Sequence, residues 1–411
     1  MRILIYGINY APELTGIGRY TGEMAEWLAA RGHDVRVVTA PPYYPHWRVA
    51  EGFRRFWFEH ECRKGVSVWR CPLWVPGHPS GLTRIVHLAS FAMSSFPVIL
   101  LHALRRPDVV ISIEPPLFLA PGAVVVSVLS RAKSWLHVQD FEVDAAFDLG
   151  VLKGRRLAGG VIAVERWLMR RFSRVSTISG RMLERLKDKG VAESKRISFP
   201  NWVDTRAIHP LAHPSAFRSE LGLTDEDTVL LYSGNMGYKQ GLDIIVEAAK
   251  ELRDQPNLRF VMCGDGAAHS DLRARSEGLS NMTWLPLQPM ERFNELLNLA
   301  DIHLLPQQAG AADLVMPSKL TGIMASGRPV IATASEGTEV WSVVQSCGET
   351  VQPGDLEGFC RSIQKLSVER RLREQLGANA RAYALQKLDR DVVLRQFEEN
   401  LLSLVGDKCC A

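Results

Sequence analysis

The chain has 411 residues, 46% of them apolar and 23% charged, with a formal net charge of +4. That length exceeds one ordinary core and predicts two domains of roughly 200 residues each. The small charge gives nucleic-acid binding no support, and seven cysteines without a C-x-x-C pair or histidine-spaced set point to a reduced compartment with no structural zinc.

The opening Met1-Arg2-Ile3-Leu4-Ile5-Tyr6 reads as a core strand that starts at once, unlike an export leader. A loop follows to Gly16-Ile17-Gly18, then a helix predicted over 19–30 with Tyr20, Met24, Trp27 and Leu28 on one face, then a strand at 34–39. This is a βαβ unit, which requires a parallel sheet. As a dinucleotide fingerprint the loop fits poorly. Its glycines come late, and Thr39-Ala40-Pro41-Pro42 offers no carboxylate for a ribose. As an anion loop, Gly16 and Gly18 would turn backbone N–H groups toward a diphosphate.

Tyr43, Tyr44, Trp47, Phe53, Phe56, Trp57 and Phe58 follow, a stretch suited either to stacking on sugar or lipid or to packing over a domain edge. The segment 85–104 carries no formal charge and lies between Arg84 and Arg105-Arg106, near membrane-spanning length. His87, His102 and its internal serines and proline favour a buried or interfacial helix instead. A strand predicted at 134–138 ends at Gln139-Asp140, with His137 on Gln139's face and Glu142 and Asp144 close behind. From Leu152 to Arg174, arginines alternate with apolar residues around Trp167. That pattern fits a helix resting on anionic lipid or a solvated basic face, and the uncharged 85–104 segment favours the membrane surface.

Beyond strands at 175–179 and 196–200 a second βαβ series begins. Its first strand, 229–233, leads into Gly234-Asn235-Met236-Gly237-Tyr238-Lys239-Gln240-Gly241 and a helix predicted over 242–252. A glycine loop with Lys239 before a helix suits a diphosphate. Further on, Pro317-Ser318-Lys319 opens a short helix that Gly327-Arg328-Pro329 closes, ahead of the buried strand Val330-Ile331-Ala332. A helix start beside a strand end holds phosphate-bearing ligands, which makes Ser318 and Lys319 candidates. No His/Asp ligand spacing stands out, so no metal is expected.

Ala325-Ser326-Gly327-Arg328-Pro329-Val330 resembles the AxGxPV fingerprint of retaining GT-B glycosyltransferases. Pro200-Asn201-Trp202-Val203-Asp204 with Ile208-His209-Pro210 resembles their PNGVDxxxFxP hinge, and Gly16-Ile17-Gly18 their PxxGG loop. The wording of Tyr6–Gly18 and Gly234–Gly241 is similar to colanic-acid-type exopolysaccharide glycosyltransferases. The resemblance implies an α/β GT-B fold, two Rossmann-like domains whose parallel sheets face across a cleft. Residues 1–204 would form the acceptor side and 205–385 the nucleotide-sugar donor domain, with 386–411 a helix crossing back.

The implied activity is transfer, with retention and without metal or cofactor, from a nucleotide-diphosphate sugar to a lipid-linked oligosaccharide. GDP-fucose is the donor guessed by analogy with fucose-rich exopolysaccharides. The implied place is the cytoplasmic face of the inner membrane, on the inner-leaflet surface. Asp140 takes the family's aspartate position and Gln139 its histidine position, with His137 nearby. Asn235 stands where an arginine would contact the diphosphate, beside Lys239. Gly264 belongs to a GxG turn, Gly337 and Thr338 would turn N–H groups to the diphosphate, and Glu339 would serve the nucleotide or sugar. Of the family's paired glutamates, the register puts one at Gly322, where it is absent, and the other at Leu314 beside Asp313. Asp140 and Asp313 are therefore the candidate catalytic groups. The alternatives are a non-enzymatic glycan-assembly subunit and a nucleotide-sugar 2-epimerase.

Overall fold

The computed structural model describes residues 1–13, 16–77, 80–144, 155–308 and 316–406, with backbone alone at 155–158 and 239. The chain forms two compact units, Met1–Pro200 with Leu394–Ala411, and Asn201–Val393.

In the first unit, short apolar runs form β1 (Arg2–Tyr6), β2 (Asp34–Thr39), β4 (Val66–Arg70), β5 (Val109–Glu114), β6 (Lys133–Val138), β7 (Arg174–Thr177) and β8 (Arg196–Ser198), with β3 (Glu59–Arg63) at one edge. The order is β3-β4-β2-β1-β5-β6-β7-β8, parallel except for the antiparallel β3–β4 pair. Every residue of β5 is buried, as a central strand covered on both faces requires. The β3–β4 hairpin was not expected from sequence. Lys64 (φ 45°) and Gly65 (φ 80°) make its two-residue turn. No residue of β3 is fully buried, so its sequence lacks the apolar alternation that marks a strand.

The helix between β1 and β2 is Gly16–Ala30, beginning before the predicted start, so Gly18 lies in its first turn. Near the C-terminus the helix Arg390–Gly406 brings Phe397 against Trp135 and Phe199, with ring centroids 5.0 and 4.1 Å away. Its Glu398 accepts from Arg31 at 3.0 Å and pairs with His33 at 2.8 Å.

The second unit carries an all-parallel sheet of β9 (Thr228–Ser233), β10 (Leu258–Cys263), β11 (Met282–Leu285), β12 (Ile302–Leu305), β13 (Val330–Thr333) and β14 (Gly348–Val351). The order is β11-β10-β9-β12-β13-β14. One face is filled by Leu230, Tyr232, Ile245, Phe260 and Phe359, the other by Leu297, Leu320, Met324 and Val340 among others. In each sheet the chain starts centrally, adds strands to one side, then returns to fill the other. The reversal falls between β1 and β5 in the first sheet and between β9 and β12 in the second. Such switch points open a crevice beyond the strands' C-terminal ends, where ligands of open α/β sheets bind.

Candidate active site

At the switch point of the second sheet, β9 ends at Tyr232-Ser233 and the chain turns at Gly234 (φ +130°). The loop after β10 is stitched to the one after β9 by Met236 N–H donating to Asp265 O at 2.8 Å and Ala268 N–H to Met236 O at 2.8 Å. At Gly264 (φ +146°) a Cβ would lie 2.0 Å from Gly234 O, so this approach admits only glycine. From the far side of the switch point, the helix Ser318–Ala325 delivers Lys319 to the same place. Its ammonium donates to Tyr232 Oη and to Asn235 O at 3.3 Å, and sits 4.3 Å from the Tyr232 ring centroid. The Tyr232 hydroxyl in turn donates to Asn235 O at 2.5 Å. A Cβ on Gly234 would meet Lys319 Cε at 2.5 Å, so this glycine makes room for the lysine as well as for the turn. Burial lowers the Lys319 pKa to about 8. The arrangement leaves a partly desolvated cation, with no carboxylate in its hydrogen-bond set, at the mouth of a glycine-lined crevice. An anion arriving there gains a charge interaction that little water screens.

The first sheet's switch point has the opposite character. Glu13, in the loop after β1, is buried and accepts from the Tyr43 and Tyr44 N–H groups at 3.1 Å each and from Asn9 Nδ2 at 3.0 Å. Its carboxylate lies against the first turn of the helix Gly16–Ala30, where a Cβ on Gly18 would meet Glu13 Oε2 at 2.4 Å. Burial raises its pKa, against the pull of those three donors. Glu114, at the end of β5, is fully buried, and neither carboxyl oxygen has a hydrogen-bond partner among the described residues. Burial first, then Glu165 and Glu142, push it well above the usual carboxylate range, toward its neutral form.

At the end of β6, Gln139 Nε2 donates to His137 Nε2 at 2.9 Å, which places the ring proton on Nδ1, 2.8 Å from Ser176 Oγ. Burial lowers the His137 pKa to about 3. Asp140 is exposed at the strand end, and Glu142 accepts from Leu117 N–H at 3.0 Å.

Residues 15–202 match the family model described as a glycosyl transferase 4-like domain, and residues 215–383 match the one described as glycosyl transferases group 1. The chain is 44% identical over 407 residues, covering 97% of it and 98% of the relative, to the Escherichia coli (strain K12) protein named as the colanic acid biosynthesis glycosyl transferase WcaI. It belongs to the type 4 glycosyltransferases. Its backbone also matches sucrose-phosphate synthase from Thermosynechococcus elongatus, with TM-score 0.73 at 15% identity over 99% of this chain and 100% of that one. Anabaena HepE in complex with UDP matches with TM-score 0.67 at 16% identity over 98% and 100%. The fold is thus GT-B, as the sequence implied.

Within this glycosyltransferase the structure sorts the sequence-based candidates. It brings Gly234, Asn235, Gly264 and Lys319 together, with Ser318 exposed at the helix start. Lys239 has only its backbone described, and Asp313 and Leu314 lie outside the described residues. Thr338 is a correction. Its N–H donates to Ser335 O at 3.2 Å and its hydroxyl caps the helix Glu339–Val344 through Trp341 N–H at 3.2 Å, so neither group is left for a diphosphate. Gly337 stays in the adjoining turn with φ +84°, and Glu339 is the first helical residue. His137 is also corrected, because both ring nitrogens are taken up inside the sheet. A Cβ at Gly322 would face the core in ordinary contact with Leu297 Cδ1 at 3.4 Å, so a side chain there points inward. Gly16 and Gly18 remain at a helix N-terminus, with Glu13 seated beside it. Tyr232, Glu13 and Glu114 were missed. A carboxylate at a strand's end before Pro115-Pro116 was the one signal for Glu114. Among the described residues no group of three or more His, Cys, Asp or Glu is placed to hold a metal ion.

Proposed function

We propose that this glycosyltransferase binds a nucleotide-diphosphate sugar at the switch point of its second sheet and transfers the sugar to a lipid-linked saccharide in exopolysaccharide biosynthesis of the colanic-acid kind. The carrying observation is Lys319, held by Tyr232 and Asn235 O across the switch point on a glycine floor. Glycosyl transfer from such a donor leaves negative charge on the departing diphosphate. Lys319, Ser318 and the backbone N–H groups of Asn235, Gly237 and Tyr238 would offset it without a metal, Lys239 adding a second cation. Retention at the anomeric carbon and Asp140 on the acceptor side belong to the same proposal, as does action at the cytoplasmic face of a membrane. The kinship with the E. coli colanic acid protein supports the exopolysaccharide setting.

The base and sugar are tested directly. Thermal stabilisation is measured with UDP, GDP, ADP and their sugars, in wild type and Lys319→Met. One nucleotide diphosphate at 100 times its dissociation constant should add about 2.7 kcal/mol, and the variant should lose this. GDP and GDP-fucose are the expected pair, and a response confined to UDP would replace them. No response to any nucleotide would remove the transferase reading of this site.

A further inference from the structure

In the first unit, the connections β4→β5, β5→β6 and β6→β7 all step the same way through the sheet. Right-handed crossovers therefore put the helices Gly81–Ala103, Ala120–Ser130 and Arg155–Arg171 side by side on one face. The middle helix packs against both neighbours. Their inner sides carry the polar groups. Ser95 Oγ meets Tyr6 Oη at 2.6 Å, His87 Nδ1 meets Trp74 O at 2.6 Å, and His102 Nδ1 meets Val98 O at 2.8 Å. Glu165 is fully buried on Lys189 Nζ at 2.6 Å.

The outer sides are apolar and face water. Met93 is 76% exposed, Leu101 63%, Val128 72%, Leu129 65%, Val164 55% and Trp167 54%. Adjacent exposed residues of this size mark an interaction surface in a soluble chain. Each helix runs against the strand that follows it, so the three C-terminal ends share one edge of the sheet. That edge carries Arg105-Arg106, Arg131 and Arg170-Arg171. A groove of about 880 Å³ runs along the third helix, walled by Arg166, Trp167 and Arg170. Apart from the buried Glu165, the three helices contain no acidic residue.

We propose that this three-helix face seats the protein flat on an anionic phospholipid bilayer, with the helix Gly81–Ala103 lying in the interface rather than across it. That helix is long and apolar enough to span a membrane. Spanning would strip Ser95 and His87 of their partners and pull the helix off its sheet, whereas lying flat keeps every inner contact and buries the outer one. Charge selects the occupant. A second copy of this chain would bring an equally acid-free face, arginine against arginine. An anionic headgroup layer supplies the missing negative charge. The proposal rests on the reading of a membrane-borne acceptor for its purpose, and on exposure and charge for its location.

The test is co-sedimentation of the full chain with vesicles of phosphatidylethanolamine and phosphatidylglycerol, against vesicles of phosphatidylcholine. Wild type should sediment with the anionic vesicles and be released by salt. Leu101→Glu with Val128→Glu should lose at least tenfold in partition, and Arg166→Gln with Arg171→Gln roughly 25-fold, at about fivefold per cation. Val368→Glu, an exposed position of the second unit, should change nothing. All substitutions are at exposed positions, and an unchanged melting temperature confirms folding. Equal binding by wild type and Leu101→Glu/Val128→Glu overturns this face and leaves membrane association to another surface. Failure of wild type to bind anionic vesicles overturns both. A wild-type dimer in vesicle-free solution that the same pair of substitutions dissociates would assign the face to a second copy of the chain. Nucleotide-induced stabilisation, measured on the same samples, reports separately on the donor site.

Discussion

The two sheets share one architecture and differ in the sign of what stands at their switch points. Beyond β9 stands Lys319, a cation kept short of water. Beyond β1 and β6 stand Glu13, Glu142 and Asp140, with Glu114 buried and held toward its neutral form at the end of β5. The sheets make two similar crevices, and the loops decide that one suits a diphosphate while the other repels it. A hydroxyl acceptor carries no charge, so a carboxylate-lined crevice costs it nothing and can orient it by hydrogen bonds. The donor and acceptor roles proposed for the two halves would thus follow from electrostatics laid over a common fold.

The sharpest way to break this comparison is to remove the cation without disturbing its packing. Lys319→Met keeps a stem of similar length on Tyr232 and Gly234. It should lower kcat/KM by about 10²–10³-fold and leave the melting temperature equal or higher, since a desolvated charge is gone. A fall in both would make Lys319 a structural residue.

Next in size is the glycine floor. Gly264→Ala sets a Cβ against a backbone carbonyl that cannot retreat, and should cost about 3 kcal/mol in chemical denaturation. Gly18→Ala in the first unit meets Glu13 at its carboxylate and at its Cβ, 2.7 Å away, a side chain rather than a backbone carbonyl, and should cost about 2 kcal/mol. Equal costs would mean that the two crevices are built alike.

The pH dependence of donor binding is a third probe. Affinity should be flat below pH 8 and fall by up to about tenfold per unit above it, as Lys319 loses its proton. Stability has the opposite sign. Between about 8 and the ordinary 10.5, the unfolded lysine binds a proton that the folded one does not, so this group adds stability as pH rises. Both effects should vanish in Lys319→Met, by nucleotide titration and by denaturation across that window.

The smallest effect concerns Glu13. Glu13→Gln keeps an acceptor for the Tyr43 and Tyr44 N–H groups and should change stability by less than about 1 kcal/mol. Glu13→Ala leaves both donors unmet and should cost about 2 kcal/mol by the same measurement. If the two variants match, the carboxylate does not tie those loops together.

Much of this was legible in the sequence, and the limits have physical reasons. Asp34–Thr39 reads directly as a strand because buried parallel strands leave dense apolar runs. Pro317-Ser318-Lys319 announced the helix start that carries the lysine. The pairing of His137 with Gln139 follows from strand alternation, but their shared burial does not. Ser176 lies a strand away and is what turns the histidine inward. Tyr232 escaped notice because its partner is 87 residues distant and nothing local distinguishes it from a core tyrosine. Thr338 was misread because a turn closing on Ser335 and a helix cap compete for the same groups.

The helix Arg390–Gly406 sets the timetable by which the chain can be completed on the ribosome. Residues from Leu394 onward belong to the first unit, and Phe397 lies against Trp135 and stacks on Phe199. When Pro200 leaves the peptidyl-transferase centre, that aromatic pocket lacks its third ring and Arg31 and His33 lack Glu398. At about 5–20 residues per second, those partners arrive roughly 10–40 s later. The half of the protein made first is therefore finished last, with Phe199 waiting for its stacking partner Phe397 until the end of synthesis.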